Sequence, residues 1–318
     1  MWLGLWKQLS PPQGTFPQIS DETEARSSKM TASIQTVGVV VFVVLAVTVI
    51  GYRRFRKWIA GRTCRSQAKL NGKTVIITGA NTGIGLETAV DLARRNARVI
   101  LACRSVERGE KAAVEVRKRS GNDNVVFVQL DLASLDSVRT FSAKILEEEP
   151  HVDILINNAA IVTLQGSLTE DGFESTFAVN HLGHFLLTNL LLDRMRDAPS
   201  ARIINVSAKA FKYCKTFDFD TINSTDPGRY NMNIVNNVSY MQSKIVNVLF
   251  TRALSRRLEG TSITANVLHP GIIQTELGRE IWAKFPKPLQ VALCWEYVQV
   301  FTYSPVPMQA LPFIYMHL

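Results

Sequence analysis

The sequence predicts an α/β fold, a doubly wound parallel sheet preceded by one membrane-spanning helix, and three observations carry that expectation. From Leu70 onward, short β-branched runs alternate with longer helical patterns, as in a parallel sheet covered on both faces. The first run ends in a glycine-rich turn, Thr78-Gly-Ala-Asn-Thr-Gly-Ile-Gly85, and a helical pattern begins at once. Upstream, Met30 to Tyr52 contains no charged residue. With 318 residues, 46% hydrophobic and 20% charged, the chain has enough apolar material for a sizeable core. Four cysteines exclude a disulfide-stapled secreted scaffold.

Residues 1–29, rich in Pro, Ser and Gln, read as a disordered leader whose Trp2 and Trp6 can rest at a membrane interface. Residues 30–52 read as the anchor: as a helix they rise roughly 34 Å, about one bilayer core. Residues 53–70 form a basic linker. Seven of the 36 Lys and Arg residues lie there with no acid, and the remaining 29 nearly balance the 27 acids. The formal charge of +9 therefore marks a collar at a membrane surface and argues against a nucleic-acid-binding face. Because the collar outweighs Arg26 and Lys29 before the span, the positive-inside rule puts everything after it in the cytosol. Asn205, Asn223 and Asn237 each begin an N-x-S/T triplet, which cytosolic placement leaves unglycosylated.

The remaining elements follow in order. Strands are expected at Thr74–Thr78, Arg98–Ala102, Val125–Leu130, Ile154–Asn157, Arg202–Ser207 and Ile263–Leu268. Helices are expected at Gly85–Arg95, Ser105–Arg119, Ser134–Glu149, Phe177–Arg196 and Ser239–Glu259. Ligands of such sheets bind outside the carboxyl ends of the strands. There, Gly79 and Gly83 permit a tight turn and close approach of backbone amides to a pyrophosphate, and Gly85 permits close helix–strand packing. At the end of the second strand, where a carboxylate would meet an unphosphorylated ribose, Arg104 suits a 2′-phosphate. Tyr240 and Lys244, four residues apart, share one helix face and put a phenol beside an ammonium, which favours phenolate. Of seven tyrosines only Tyr240 has this partner. His181 and His184 stand one helical turn apart, but no third ligand presents itself and no metal is expected.

The G-x-x-x-G-x-G turn, Asp131-Leu132 after the third strand, Asn157-Asn-Ala-Ala160 after the fourth, Asn180, Tyr240-x-x-x-Lys244 and Pro270-Gly-x-x-x-Thr275 occur in the order found in the short-chain dehydrogenase/reductase family. The chain resembles that family over about Leu70 to Glu280. The anchor, Ala102-Cys-Arg-Ser105 and Val179-Asn-His-Leu-Gly-His184 are similar to its membrane-anchored, NADP-preferring retinol dehydrogenases and retinal reductases. The resemblance implies a Rossmann-like domain over 71–280 and catalysis by Tyr240, Lys244 and Asn180. It implies NADP binding by Gly79, Asn81, Thr82, Gly83, Ile84, Gly85, Arg104, Asp131, Leu132, Asn158, Tyr240, Lys244, Pro270, Gly271 and Thr275. It also implies a lipophilic substrate, retinal or retinol first, and an endoplasmic reticulum membrane; a homodimer is compatible with it.

Two departures qualify the resemblance. The fifth strand ends Asn205-Val-Ser-Ala208, so alanine stands where the family carries its catalytic serine. Ser207 is no obvious substitute, because neighbours on a strand face opposite sides, unless the strand end re-aims it. Residues 281–318 supply an aromatic flap, including Trp282, Phe285 and Trp295, but no recognisable seventh strand. The alternative expectation is therefore a catalytically impaired, membrane-tethered protein that binds NADP or acts as a scaffold, or a truncated isoform.

Overall fold

The computed structural model describes residues 19–59, 66, 68–214, 217–231, 237–270 and 277. Helix α1 (Ile19–Ile59) forms a unit by itself. It contains a stretch, Arg26–Arg54, long and apolar enough to cross a membrane, and its valines and Phe42 between Val37 and Ile50 are exposed. The anchor expected at 30–52 is thus part of a longer helix, and residues 19–29 and 53–59, expected as leader and linker, are helical too. Glu, Lys and Arg are good helix formers, and neither flank holds a proline to stop the helix.

The second unit is a six-stranded, all-parallel sheet. Its strands are β1 (Thr74–Thr78), β2 (Arg98–Cys103), β3 (Val125–Gln129), β4 (Ile154–Asn157), β5 (Ala201–Val206) and β6 (Ile263–Leu268), in the spatial order β3-β2-β1-β4-β5-β6. β1 and β4 are buried along their whole length, as strands covered on both faces must be. One apolar cluster, with Ile77, Val99 and Leu101 at its centre, lies under α2 (Gly83–Arg94) and α3 (Val106–Ser120). The opposite cluster, with Ile76, Phe141, Leu155 and Leu187, lies under α4 (Leu135–Glu148), α6 (Gly183–Arg196) and α7 (Val238–Arg257). The strand order reverses between β1 and β4, which opens the crevice there.

One predicted helix is two. Where an unbroken helix is expected from Phe177, the structure has a short α5 (Ser175–Phe177), a π-helical turn over Ala178–Leu182, and then α6. Hydrophobic periodicity does not register one extra residue in a turn. Residues 278–318, with the aromatic flap, lie outside the described residues, so the seventh strand is untouched by these observations.

At the sheet's amino edge, buried Asp153 accepts the Thr74 amide and the Lys73 ammonium, each at 2.8 Å, and so ties β4 to the start of β1. At the other edge, Gly183 brings α6 close to the turn after β3. A Cβ on Gly183 would sit 2.6 Å from the Leu132 carbonyl oxygen. Helix propensity alone makes Gly183→Ala stabilising by up to about 1 kcal/mol. The contact instead makes it destabilising, by about 1–3 kcal/mol, and urea denaturation of both proteins decides the sign.

Candidate active site

The carboxyl ends of β1, β2, β4 and β5 open on a cavity of about 410 Å³. The turn residues Gly79, Asn81, Thr82, Gly83 and Ile84 line it, together with Arg104, Asp131, Leu132, Asn158, Tyr240, Lys244 and Pro270. Gly85 is buried beneath the turn and Asn180 is fully buried behind the wall. Gly271 and Thr275 lie outside the described residues.

The turn needs its glycines for different reasons. Gly79 and Gly83 have φ of 65° and 57°, in the left-handed region that a side chain disfavours. A Cβ on Gly79 would also meet the Ala159 Cα at 2.9 Å, and one on Gly85 would meet the Gly79 carbonyl oxygen at 2.5 Å. Thr78 fastens this turn to the end of β4: its hydroxyl accepts the amides of Asn158 and Ala159, each at 2.9 Å. The Asn158 side chain returns a bond to the Thr78 carbonyl at 2.8 Å.

Arg104 is exposed at the cavity's edge, and Ser105 beside it caps α3 by accepting the Arg108 amide. Arg108 also lines the cavity, a residue that motif reading passes over although its spacing from Arg104 is one helical turn. Asp131 both lines the cavity and accepts the Ala133 amide at 3.0 Å, so it shapes the turn into α4 as well. Cys103, at the end of β2, is buried, and burial pushes its thiol up to about 11.

Tyr240 and Lys244 are brought to the cavity by the first turns of α7, where Asn237 caps the helix by accepting the Tyr240 amide at 3.0 Å. Both side chains are almost wholly buried, and the Lys244 ammonium lies 5.6 Å from the centre of the Tyr240 ring. Lys244 Nζ donates to the Val206 carbonyl at 3.2 Å. Burial pushes Lys244 down to about 8. Burial also pushes the Tyr240 phenol above its usual value, against the expectation of a lowered one. The cause is the cost of taking phenolate out of water.

Asn180 sits in the π-helical turn with its side chain spanning a neighbouring loop. Its Oδ1 accepts the Ile161 amide at 2.8 Å, and its Nδ2 donates to the Ile161 carbonyl and to Ser243 Oγ, both at 3.0 Å. Its main-chain carbonyl accepts from Asn247 Nδ2 at 3.0 Å and pairs with His184 Nδ1 at 3.3 Å. His181 Nδ1 pairs with Asn247 Oδ1 at 2.9 Å. His184 is thus engaged at both ring nitrogens, and His181 at Nδ1.

Ala208 is partly buried beside Tyr240 in a small cluster with Val162 and Met241. Ser207 lines the same cavity: its amide still bonds the Leu268 carbonyl at 2.8 Å, and its side chain turns to α7 as that of Asn205 does two residues before it. Its hydroxyl is engaged, donating to the Lys244 carbonyl at 2.8 Å. His269, also on the lining, accepts the Lys209 amide at Nδ1, 3.2 Å away.

Residues 73–216 match the family model described as short chain dehydrogenase. The chain is 52% identical over 224 residues to human retinol dehydrogenase 13, covering 70% of this chain and 66% of that protein. It is 48% identical over 242 residues to human retinol dehydrogenase 14, covering 72% and 70%. It therefore spans about two thirds of the length of these relatives. Among solved structures, an uncharacterized protein from Mycobacterium paratuberculosis is 37% identical with a TM-score of 0.57, over 77% of this chain and 82% of that one. Together with the parallel sheet, the glycine turn and the buried tyrosine and lysine, these matches show that the chain belongs to the short-chain dehydrogenase/reductase family.

Proposed function

We propose that the chain is a membrane-anchored, NADP(H)-dependent oxidoreductase that interconverts a carbonyl and an alcohol on a lipophilic substrate, retinal and retinol first. The observation that carries this reading is the convergence of the glycine turn with buried Tyr240 and Lys244 on one cavity. The names of the relatives support the substrate class.

The residues present fit a dinucleotide. Positive-φ glycines keep side chains off the turn, and the amino end of α2 favours an anion. Arg104 and Arg108 bring two cations to the end of β2, which suits a 2′-phosphate. Gly79 to Ile84 would hold the pyrophosphate, with Gly85 giving close packing beneath it; Asp131, Leu132 and Asn158 would hold the adenosine side. Lys244, Pro270, Gly271 and Thr275 would hold the nicotinamide side. When bound, the cofactor supplies or accepts the hydride.

For reduction, Tyr240 Oη donates a proton to the carbonyl oxygen, and a phenol raised by burial keeps that proton at neutral pH. Lys244 contributes positive charge beneath the ring and returns the phenol's proton, while Asn180 orders this end of the site through Ser243. A second reading, a tethered protein that binds NADP(H) but turns over little, is favoured by Ala208 and by the engagement of the Ser207 hydroxyl. One hydroxyl donor to the reacting oxygen is then missing.

The assay is NADPH oxidation with all-trans-retinal. Tyr240→Phe lowers kcat by roughly 10²- to 10⁴-fold; equal turnover in both proteins rejects the mechanism. Ala208→Ser raises kcat by roughly 10²-fold where only the donor is missing. NADPH binding without turnover in either protein leaves the tethered reading.

Cofactor choice rests on the two arginines. Arg104→Asp and Arg108→Asp each weaken NADPH binding more than NADH binding, by about tenfold, the scale of one charge-assisted contact. An unchanged preference in a binding titration removes that arginine from the site.

The membrane reading places the large domain in the cytosol and the membrane as endoplasmic reticulum. Protease added to intact microsomes then digests the domain and leaves a fragment around Val37 to Ile50. Glycan on Asn223 reverses the orientation.

A further inference from the structure

Beneath the cavity, a hydrogen-bonded chain joins the glycine turn to the π-helical turn through a residue that does not line the cavity. His184, on the first turn of α6, is 3% exposed. Its Nε2 lies 2.8 Å from Thr78 Oγ1, and its Nδ1 lies 3.3 Å from the Asn180 carbonyl. The tautomer follows from the partners. A carbonyl can only accept, so the imidazole proton sits on Nδ1 and points at Asn180. Nε2 is then an acceptor, and the Thr78 hydroxyl, which already receives the Asn158 and Ala159 amides, gives its own proton to it at 2.8 Å in preference to the Ile156 carbonyl at 3.4 Å.

Every atom of this chain therefore has one assigned direction: amides of the β4 end to Thr78, Thr78 to His184, His184 to Asn180. Burial reinforces the pattern by pushing the imidazole down to about 3, so it stays neutral and does not donate from both nitrogens. Charge on Lys244 acts on His184 in the same sense. Asn247 closes the arrangement by holding the same Asn180 carbonyl and His181.

We propose that His184 is a positioning residue that couples the glycine turn, where the cofactor is read to bind, to the Asn180 and Lys244 end of the site. The proposal rests on the cofactor and catalytic reading given above. A shift of the turn pulls on Thr78, and through the imidazole it tilts the Asn180 carbonyl. His184 would in this way align the two halves of the cavity without touching cofactor or substrate.

The test is a double-mutant cycle on the full-length protein, reading NADPH affinity, kcat and thermal midpoint. His184→Phe keeps the ring shape and removes both bonds; Thr78→Val keeps the branched shape and removes the hydroxyl; Thr78→Ser retains it. The expected result is about a tenfold fall in kcat at saturating NADPH for His184→Phe and for Thr78→Val, the double variant being no worse than the weaker single. Thr78→Ser recovers most of the loss. Additive losses overturn the proposal, as does a lowered thermal midpoint with NADPH affinity and kcat within twofold of wild type. Should His184→Phe fail to fold, Thr78→Val against Thr78→Ser carries the decision: equal kcat in the two overturns it. Wild-type protein without NADPH-dependent turnover sinks the catalytic reading, and the coupling with it. Turnover in the wild type with additive variants sinks the coupling alone.

Discussion

A parallel sheet stops at its carboxyl edge with amides that have no further strand to bond, and the fate of those amides governs this molecule. The Thr78 hydroxyl takes two of them, from Asn158 and Ala159, at the reversal between β1 and β4. Both amides are part-buried, so the hydroxyl spares only part of the cost of unmet donors and adds two bonds beyond the end of the β1–β4 ladder. The narrowness that results dictates the rest. Gly79 can tolerate no Cβ against Ala159, Gly85 none against Gly79, and α2 must begin where it does.

From that fastening the polar groups continue inward. At the matching ends of β4 and β5, Asn157 Nδ2 donates to Asn205 Oδ1 at 2.8 Å and to Thr188 Oγ1 at 3.0 Å. Asn205 Nδ2 reaches Thr251 Oγ1, which donates to the Asn247 carbonyl. Sheet, α6 and α7 are thus cross-linked by directional bonds where the apolar clusters thin out. Apolar packing alone tolerates small sliding of helices; directional bonds resist it, although the Asn157 Oδ1 of this network is buried without a partner.

The strands were legible because β-branched runs such as Thr74 to Thr78 and Ile154 to Asn157 admit few other structures when bounded by turn residues. Their positions agree with the structure to within a residue or two, and so do α3 and α4, whose Ser105 and Ser134 caps are written in the sequence. The candidate site was legible where chemistry demands a residue type at fixed spacing, as in the glycine turn and the Tyr240–Lys244 pair. It was not legible where the determinant is three-dimensional. Nothing local marks the π-helical turn at Asn180, the appearance of Ser207 on the same lining as Ala208, or the burial that raises the Tyr240 phenol. The ends of α1 were missed for another reason: apolarity marks what a bilayer can hold, whereas helix formation continues through charged residues that no bilayer would hold.

Lys244 carries a further consequence for selectivity among reactions. An amine beside a carbonyl can condense with it to an imine, and a pocket that takes aldehydes would poison itself if its lysine were a free base. Burial lowers Lys244 only to about 8, so the ammonium remains the favoured form at neutral pH, and its Nζ donates to the Val206 carbonyl beside the Tyr240 ring. Little lone pair is available for attack. The same burial that makes the ammonium costly thus stops short of making it a nucleophile, and the lysine can lend its charge to the site without entering covalent chemistry there.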